Sequence, residues 1–294
     1  MPDPTAPPRL ALRVRRHPAL IAGLALLALF VVAALLAPLL APYSPYVQDL
    51  AYRRAPPVWH AWLYHAPRAS WLHPLGTDNL GRDYLSRLIY GARISVLIGT
   101  LATVTSGLIG TSLGVLAGYF GGRVDLGVNF LITTRLSIPL VLVALAVVSL
   151  YGGSIAIVTA VLGLLLWDRF AVVLRSVTMQ ARHQDYVTAA RALGCSTAYI
   201  IVREILPNVM GQLIVVATVE MALVILLEAA LSFLGLGVPP PEPSLGLMLA
   251  EAKNEMFFNP WMITIPGVAL FVLVLAINLV GDGIRDITGA GRQR

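Results

Sequence analysis

Between Ala19 and Leu40 the chain carries no charged residue. Five further runs approach that length: 94–119, 126–150, 154–174, 209–234 and 261–280. A helix needs about 20 apolar residues to cross about 30 Å of hydrocarbon. Within hydrocarbon every backbone N–H and C=O must find a partner in the protein, so uninterrupted runs of this kind become helices. The expected fold is therefore an all-α polytopic membrane protein with six transmembrane helices. Composition agrees, since 57% of the residues are hydrophobic and 12% are charged, against about 25% charged in a soluble domain. The first run follows Arg9, Arg13, Arg15 and Arg16 and ends in "AALLAPLLA", which has the look of a cleaved signal. It exceeds the roughly 7 to 15 apolar residues of a signal core, and is read as the first span.

The remaining segments divide as follows. Residues 1–18 form a polar N-terminal tail, 19–42 the first span, 43–91 an aqueous or interfacial segment, 92–283 a core of five spans, and 284–294 a C-terminal tail. Pro42, Pro45, Pro56, Pro57, Pro67 and Pro74 keep the second segment from being one helix. Its end, "GTDNLGRDYLSRLIYGARIS", restarts helix, with Asp83 as N-cap and Leu85, Leu88 and Ile89 on a face opposite Arg82 and Arg87. This predicts an amphipathic lead-in to the second span. Gly110, Gly114, Gly118 and Gly122 recur every four residues, which places them on nearly one face for close helix packing. The third run carries Arg135 and Pro139. The fourth must continue through Asp168 and Arg169 towards Leu174 to be long enough, so those charges sit at an interface or pair inside the bundle. The fifth contains Glu220 and Glu228, about 80° apart around a helix. Carboxylates within a span are costly and often functional. Here they are either hydrogen-bonded within the bundle or near an aqueous vestibule, or else in contact with substrate or gating.

Six spans put both termini on one side. If the N-terminus is cytoplasmic, the inner segments hold Arg9, Arg13, Arg15, Arg16, Arg123, Arg169, Arg175, Arg182, Arg191, Arg203, Arg285, Arg292 and Arg294. The outer segments then hold Arg53, Arg54, Arg68, Arg82, Arg87 and Lys253. This positive-inside bias favours an N-in, C-in topology. Although the net charge is +6, the basic residues form no stripe or patch, which argues against nucleic acid as a partner. The polar stretch "YVTAARALGCSTAYIIVREILPN", Tyr186 to Asn208, falls in the cytoplasm. It has helical character but is too polar to cross a bilayer.

Several chemistries lack their residues. Lys253, the only lysine, has no glycine-rich loop before it, so there is no P-loop for ATP. Cys195 is the only cysteine. His60, His65 and His73 share one outer loop with no cysteine or paired carboxylate to complete a metal site. "GTSLG" matches the G-x-S-x-G of hydrolases, but Ser112 lies within an apolar helical run instead of a strand-to-helix elbow. No catalytic residue is assigned.

Four blocks then carry a resemblance over nearly the whole chain: "HPLGTDNLGRDYLSRLIYGARIS"; "AGYFGG" with Asp125 close behind; "YVTAARALG" followed by "ILPN"; and "EAALSFLGLGVPPPEPSLG", with "NLVGDGIRD" closing the core. The chain resembles the permease subunits of binding-protein-dependent ABC importers for dipeptides, oligopeptides and nickel, specifically the second permease of the pair. The resemblance implies a type I importer fold in a bacterial or archaeal plasma membrane. It implies a homologous permease as heterodimer partner, two ABC ATPase subunits that use ATP and Mg, and an extracytoplasmic binding protein, with no cofactor on this chain. It also marks residues 175–208 as the ATPase-coupling loop, with Thr188, Ala189, Ala190, Leu193, Gly194, Ile205, Leu206 and Pro207 as its core. Ala189, Ala190 and Leu193 are expected on one side of a helix, with Gly194 supplying a turn and Pro207 starting the next helix at a fixed angle. Departures from the family pattern fall at Thr188 (often Glu), Glu204 (often His), Leu245 (often Trp), and Phe130 and Thr133 (commonly Arg and Asp). Two other readings compete: a secondary transporter driven by protons through Glu220, Glu228 or Asp168, and, for the loop alone, a helix resting on lipid headgroups.

Overall fold

A computed structural model describes residues 17–289, which are helical throughout their regular structure. Arg9, Arg13, Arg15, Arg16, Arg292 and Arg294, which contribute to the charge bias, lie outside the described residues.

Helix α1, Pro18–Leu35, opens on a proline, whose missing N–H costs nothing in the first turn. A proline-rich connection leads to α2, Tyr84–Phe120. The Asp83 side chain accepts from the Ser86 amide at 2.8 Å, capping α2, and Gly121 at φ +65° ends it. At 37 residues α2 is about 55 Å long, so the expected lead-in and second span are one helix. The face pattern of the lead-in is the reverse of the expected one. Arg82 and Arg87 are buried while Leu85, Leu88 and Ile89 are half-buried, because the arginines meet carboxylates from other segments.

The third apolar run is broken. Helices α3, Gly122–Leu136, and α4, Leu140–Tyr151, are bent by 76° to each other. Pro139 holds extended dihedrals at the start of α4, and a proline also pushes the residue before it out of helical geometry. The fourth run forms one span, Ile155–Ala181, made of α5, Ile155–Leu165, and α6, Asp168–Ala181, with an interruption at Leu166 and Trp167, so Arg169 and Arg175, expected in the inner segments, fall within the span instead. Five helices are therefore long and apolar enough to cross a membrane, or six if the bent pair counts as one.

Helix α7, Asp185–Ala192, is followed by Gly194 at φ +79°. The chain then turns and enters a continuous rod, Thr197–Phe233, consisting of one helical turn, a π segment at Ile200–Ile205, and α8, Leu206–Phe233. The corner therefore lies at Gly194. Pro207 stands in the first turn of α8, as expected of a helix start, but the rod is continuous through it beside the π turn, so it sets no corner. Helix α9, Leu245–Ala252, is capped by Ser244, and α10 covers Trp261–Gly289. Pro266 inside α10 cannot bond the Met262 carbonyl; the Tyr84 hydroxyl donates to that carbonyl instead.

Helix α2 is the central post, touching α1, α5, α6, α8 and α9. Small residues set its closest approach. A Cβ on Gly110, Gly114 or Gly118 would come within 2.6 Å of a backbone oxygen of Trp167, Ala171 or Arg175. Gly122 does not belong with them. It has open space around it and φ +50°, and serves the turn between α2 and α3. Helix α1 lies on α10 through Gly23 against Leu279 and Gly283 against Leu20. One end of the bundle gathers residues 43–83 and 234–260, the end that charge bias assigns to the outside. The other carries α7.

Candidate functional site

The coupling stretch is a ridge on a buried root. Val187 and Ala190 are buried with Leu174, Ile200, Ile205 and Val209. Thr188, Ala189, Gly194 and Pro207 are exposed, Leu193 is 83% exposed, and Leu206 is half-buried. Ala190 therefore points away from Ala189 and Leu193, contrary to the expectation of one shared face. At about 100° per residue, 189 and 193 lie about 40° apart, and 190, about 100° round from 189, falls on the side packed against the bundle. The Leu193 amide bonds the Ala189 carbonyl at 3.0 Å and the Cys195 amide bonds Ala190 at 3.1 Å, closing a C-terminal turn that needs the left-handed conformation Gly194 supplies. Arg182 donates to the Gly118 carbonyl at 3.1 Å and Arg175 pairs with Asp125, fastening this end of α6 to α2 and α3. Arg191 lies over the Tyr119 ring at 5.8 Å. Of the departures, Thr188 donates to the Gln184 carbonyl at 3.3 Å, while the Glu204 carbonyl accepts from Asn208 at 2.6 Å. Phe130 and Thr133 are exposed on α3, and Leu245 is fully buried.

The two intramembrane glutamates occupy separate environments, both fully buried. Glu228 Oε1 accepts from Ser232 at 2.8 Å and Ser244 at 2.9 Å, and Oε2 from Ser95 at 3.4 Å. Three serines from α2, α8 and the start of α9 thus converge on one carboxylate. Ser232, four residues on, is readable from helical spacing; Ser95 and Ser244 are brought in by tertiary packing alone. Glu220 instead faces Arg169, with Nη1 and Oε1 3.3 Å apart. Next to it Arg135 lies 3.5 Å from Asp168 and donates to the Leu165 carbonyl. The charges of the fourth run therefore pair inside the bundle, where the breaks in the third and fourth runs meet. A groove of about 320 Å³ runs past this cluster, lined by Leu136 and Val219 among others.

At the opposite end Asp78 binds Arg82 at 2.5 Å and also Arg87. Glu251 of α9 binds Arg82 at 3.1 Å and Arg87 at 2.6 Å. His73 lies 2.9 Å from Asp83, and Arg54 pairs with Glu255. The "GTDNLGRD" block thus caps α2 and ties it to α9. Among the described residues no cluster of three His, Cys, Asp or Glu is arranged to hold a metal. Ser112 Oγ donates to the Leu108 carbonyl at 2.7 Å within α2, so there is no nucleophile elbow.

A helical bundle with broken spans, charges paired at its middle and an exposed helical ridge at one end is the arrangement of a multi-pass membrane component. Residues 110–292 match the family described as the inner membrane component of binding-protein-dependent transport systems, and residues 9–57 match the N-terminal transmembrane domain of oligopeptide transport permease C. The chain belongs to this family of ABC transporter permeases. It is 39% identical over 264 residues to the dipeptide transport system permease DppC of Haemophilus influenzae, covering 90% of this chain and 88% of that one. It is 40% identical over 264 residues to the di/tripeptide permease DppC of Pseudomonas aeruginosa, covering 90% and 85%. To the glutathione transport permease GsiD of Pectobacterium atrosepticum it is 36% identical over 273 residues, covering 93% and 87%. The fold resembles a chain of the inward-facing MetNI methionine ABC transporter, with TM-score 0.57, 18% identity, and coverage of 69% of this chain and 95% of that one. An ion-coupled carrier finds no support in these comparisons.

Proposed function

We propose that this chain forms, with a homologous permease, the pathway of an importer for short peptides in a bacterial plasma membrane. Two ATPase subunits, using ATP and Mg, dock on the ridge of α7, and an extracytoplasmic binding protein delivers cargo to the opposite end. Closing of the ATPase dimer draws the two ridges together and opens the pathway outwards; release after hydrolysis returns it inwards. Such a cycle is alternating access biased by a partner's ligand. The observation that carries the reading is an outward-facing Ala189–Leu193 ridge whose root is locked into the bundle. Exposed apolar side chains on a firmly held helix are suited to receive a partner, and a rigid root transmits what the partner does. The dipeptide permeases among the relatives support peptides as cargo.

Two variants test it. Gly194→Trp places a side chain at φ +79° with nothing within 4 Å, so its effect comes from backbone strain of about 1–2 kcal/mol and from obstruction of the docking face. Leu193→Asp alters the ridge with no backbone change. Both are expected to reach the membrane in normal amounts, and in the reconstituted transporter to lower peptide uptake about tenfold or more per ATP hydrolysed, the loss of about 1.4 kcal/mol of coupling. Normal coupled uptake by both variants overturns the docking assignment.

A further inference from the structure

The middle of this bundle holds a cation that lipid cannot satisfy. At 1.5 Å per residue, Asp168 lies about 20 Å from the Ile155 end of its span, and Glu220 about 20 Å from the Phe233 end of its rod. Arg169 therefore stands near mid-membrane, yet its side chain is 56% exposed, while that of its partner Glu220 is 1% exposed. An exposed guanidinium at this depth is unfavourable against hydrocarbon and marks a face that meets water or a polar ligand. The helix interruptions at 137–139 and 166–167 converge here. Interrupted helices at mid-membrane are a recurrent way of building transport sites.

Arg169 is held in a particular way. Its Nη1 faces Glu220 at 3.3 Å, an ion pair that engages neither Nε nor Nη2. Those two form the edge of the guanidinium that grips a carboxylate with two parallel hydrogen bonds. Glu220 has both oxygens buried with no hydrogen bond of normal geometry, so its negative charge has little to do but orient Arg169. Asp168 also lines the groove, where its charge is offset by Arg135 at 3.5 Å. The walls, Val172, Val173, Val215, Val216 and Val219, are apolar and exclude competing donors.

We infer that the Nε–Nη2 edge of Arg169, positioned by Glu220, is a carboxylate-recognition station in the translocation pathway. This rests on the permease reading and adds to it the chemistry of the cargo: a group with a free carboxylate, either the C-terminus of a peptide or an acidic side chain. Arg169 touches the cargo, and Glu220 is a positioning residue.

The test has two arms, both on this chain assembled with its partner permease, ATPase and binding-protein subunits. In the first, uptake is measured for Ala-Ala, Ala-Ala amide and Ala-Glu amide, each supplied on saturating loaded binding protein so that delivery is equal. The wild type is expected to favour the peptides with a carboxylate. Arg169→Gln, made together with Glu220→Gln so that no buried carboxylate is stranded, lowers their uptake about tenfold more than that of Ala-Ala amide, and Arg169→Lys recovers part of the loss, since a point charge replaces a two-pronged one. The ratio of Ala-Ala to Ala-Glu amide tells which source of carboxylate is read. Equal slowing of all three, or no slowing, overturns the station. In the second arm, Arg169→Cys in a Cys195→Ser background is expected to react with a membrane-impermeant sulfonate thiol reagent, whereas Leu164→Cys on the apolar surface stays unlabelled. An unlabelled position 169 overturns the water-lined face and shows instead that lipid or a second permease covers it. If the wild type moves none of the peptides, the peptide-importer reading falls, while the labelling arm still decides whether this face is aqueous.

Discussion

Glu228 is a carboxylate with no water to turn to and three serine hydroxyls as its whole solvation. Removing it strands donors from three elements at once. Glu228→Ala is expected to cost about 3 kcal/mol, from unpaired buried hydroxyls and the cavity left behind, read as a lower unfolding midpoint in detergent. Glu228→Gln keeps the shape and one acceptor and is expected to cost less than half as much. Comparable losses for the two variants contradict the assignment of the carboxylate as a junction. The presence of both glutamates within a span was legible in the sequence, and so was the expense of putting them there. Their unlike company was not, because Ser95 and Ser244 lie 133 and 16 residues away from Glu228. The same limit explains Arg87. Read locally it belongs to a solvated face, but Asp78, nine residues before it, and Glu251, 164 residues further along, together take it inside.

Helices meet here at a spacing set by side-chain size. Gly114→Ala would put a methyl group 2.6 Å from the Ala171 carbonyl oxygen and 3.0 Å from the Arg175 amide, so α2 and α6 must part. Gly127→Ala on α3 meets nothing within 4 Å and gains about 0.5–1 kcal/mol of helix propensity. The two variants are expected to move thermal stability in opposite directions, and a shift of the same sign in both speaks against the α2–α6 seam as the packing constraint. A four-residue glycine rhythm was enough to expect this seam through Gly118; only the φ of +50° at Gly122 separates the turn glycine from the packing ones. Pro139 likewise announced an interruption, but not a bend of 76°, which depends on what α4 packs against. At that bend Arg135 and Asp168 form a further test. Each of Arg135→Gln and Asp168→Asn leaves a largely buried charge without its partner and is expected to destabilise by about 3 kcal/mol, with the double variant well short of the sum. Additive losses in a double-mutant cycle overturn the pairing.

For the whole molecule, six apolar runs determined most of the architecture, since a bilayer leaves a chain few alternatives to helices of matching length. What the runs could not convey was continuity. The lead-in and the second span share one rod, and so do the fifth span and the part of the coupling stretch beyond Gly194; the corner expected at Pro207 lies at Gly194. The rod Thr197–Phe233 is about 55 Å long and starts one turn of chain beyond the Gly194 corner. It therefore acts as a lever whose short arm lies at the proposed docking ridge. A tilt of about 5° at its base carries Glu220, some 35 Å along, sideways by about 3 Å, and the Phe233 tip by nearly 5 Å. Three ångströms exceeds what the Arg169–Glu220 pair can absorb by stretching. If the proposed docking holds, a rotation of that size imposed at the ridge would either drag Arg169 with it or release its guanidinium, a timing signal that would reach the middle of the membrane without contact from any residue at the ridge.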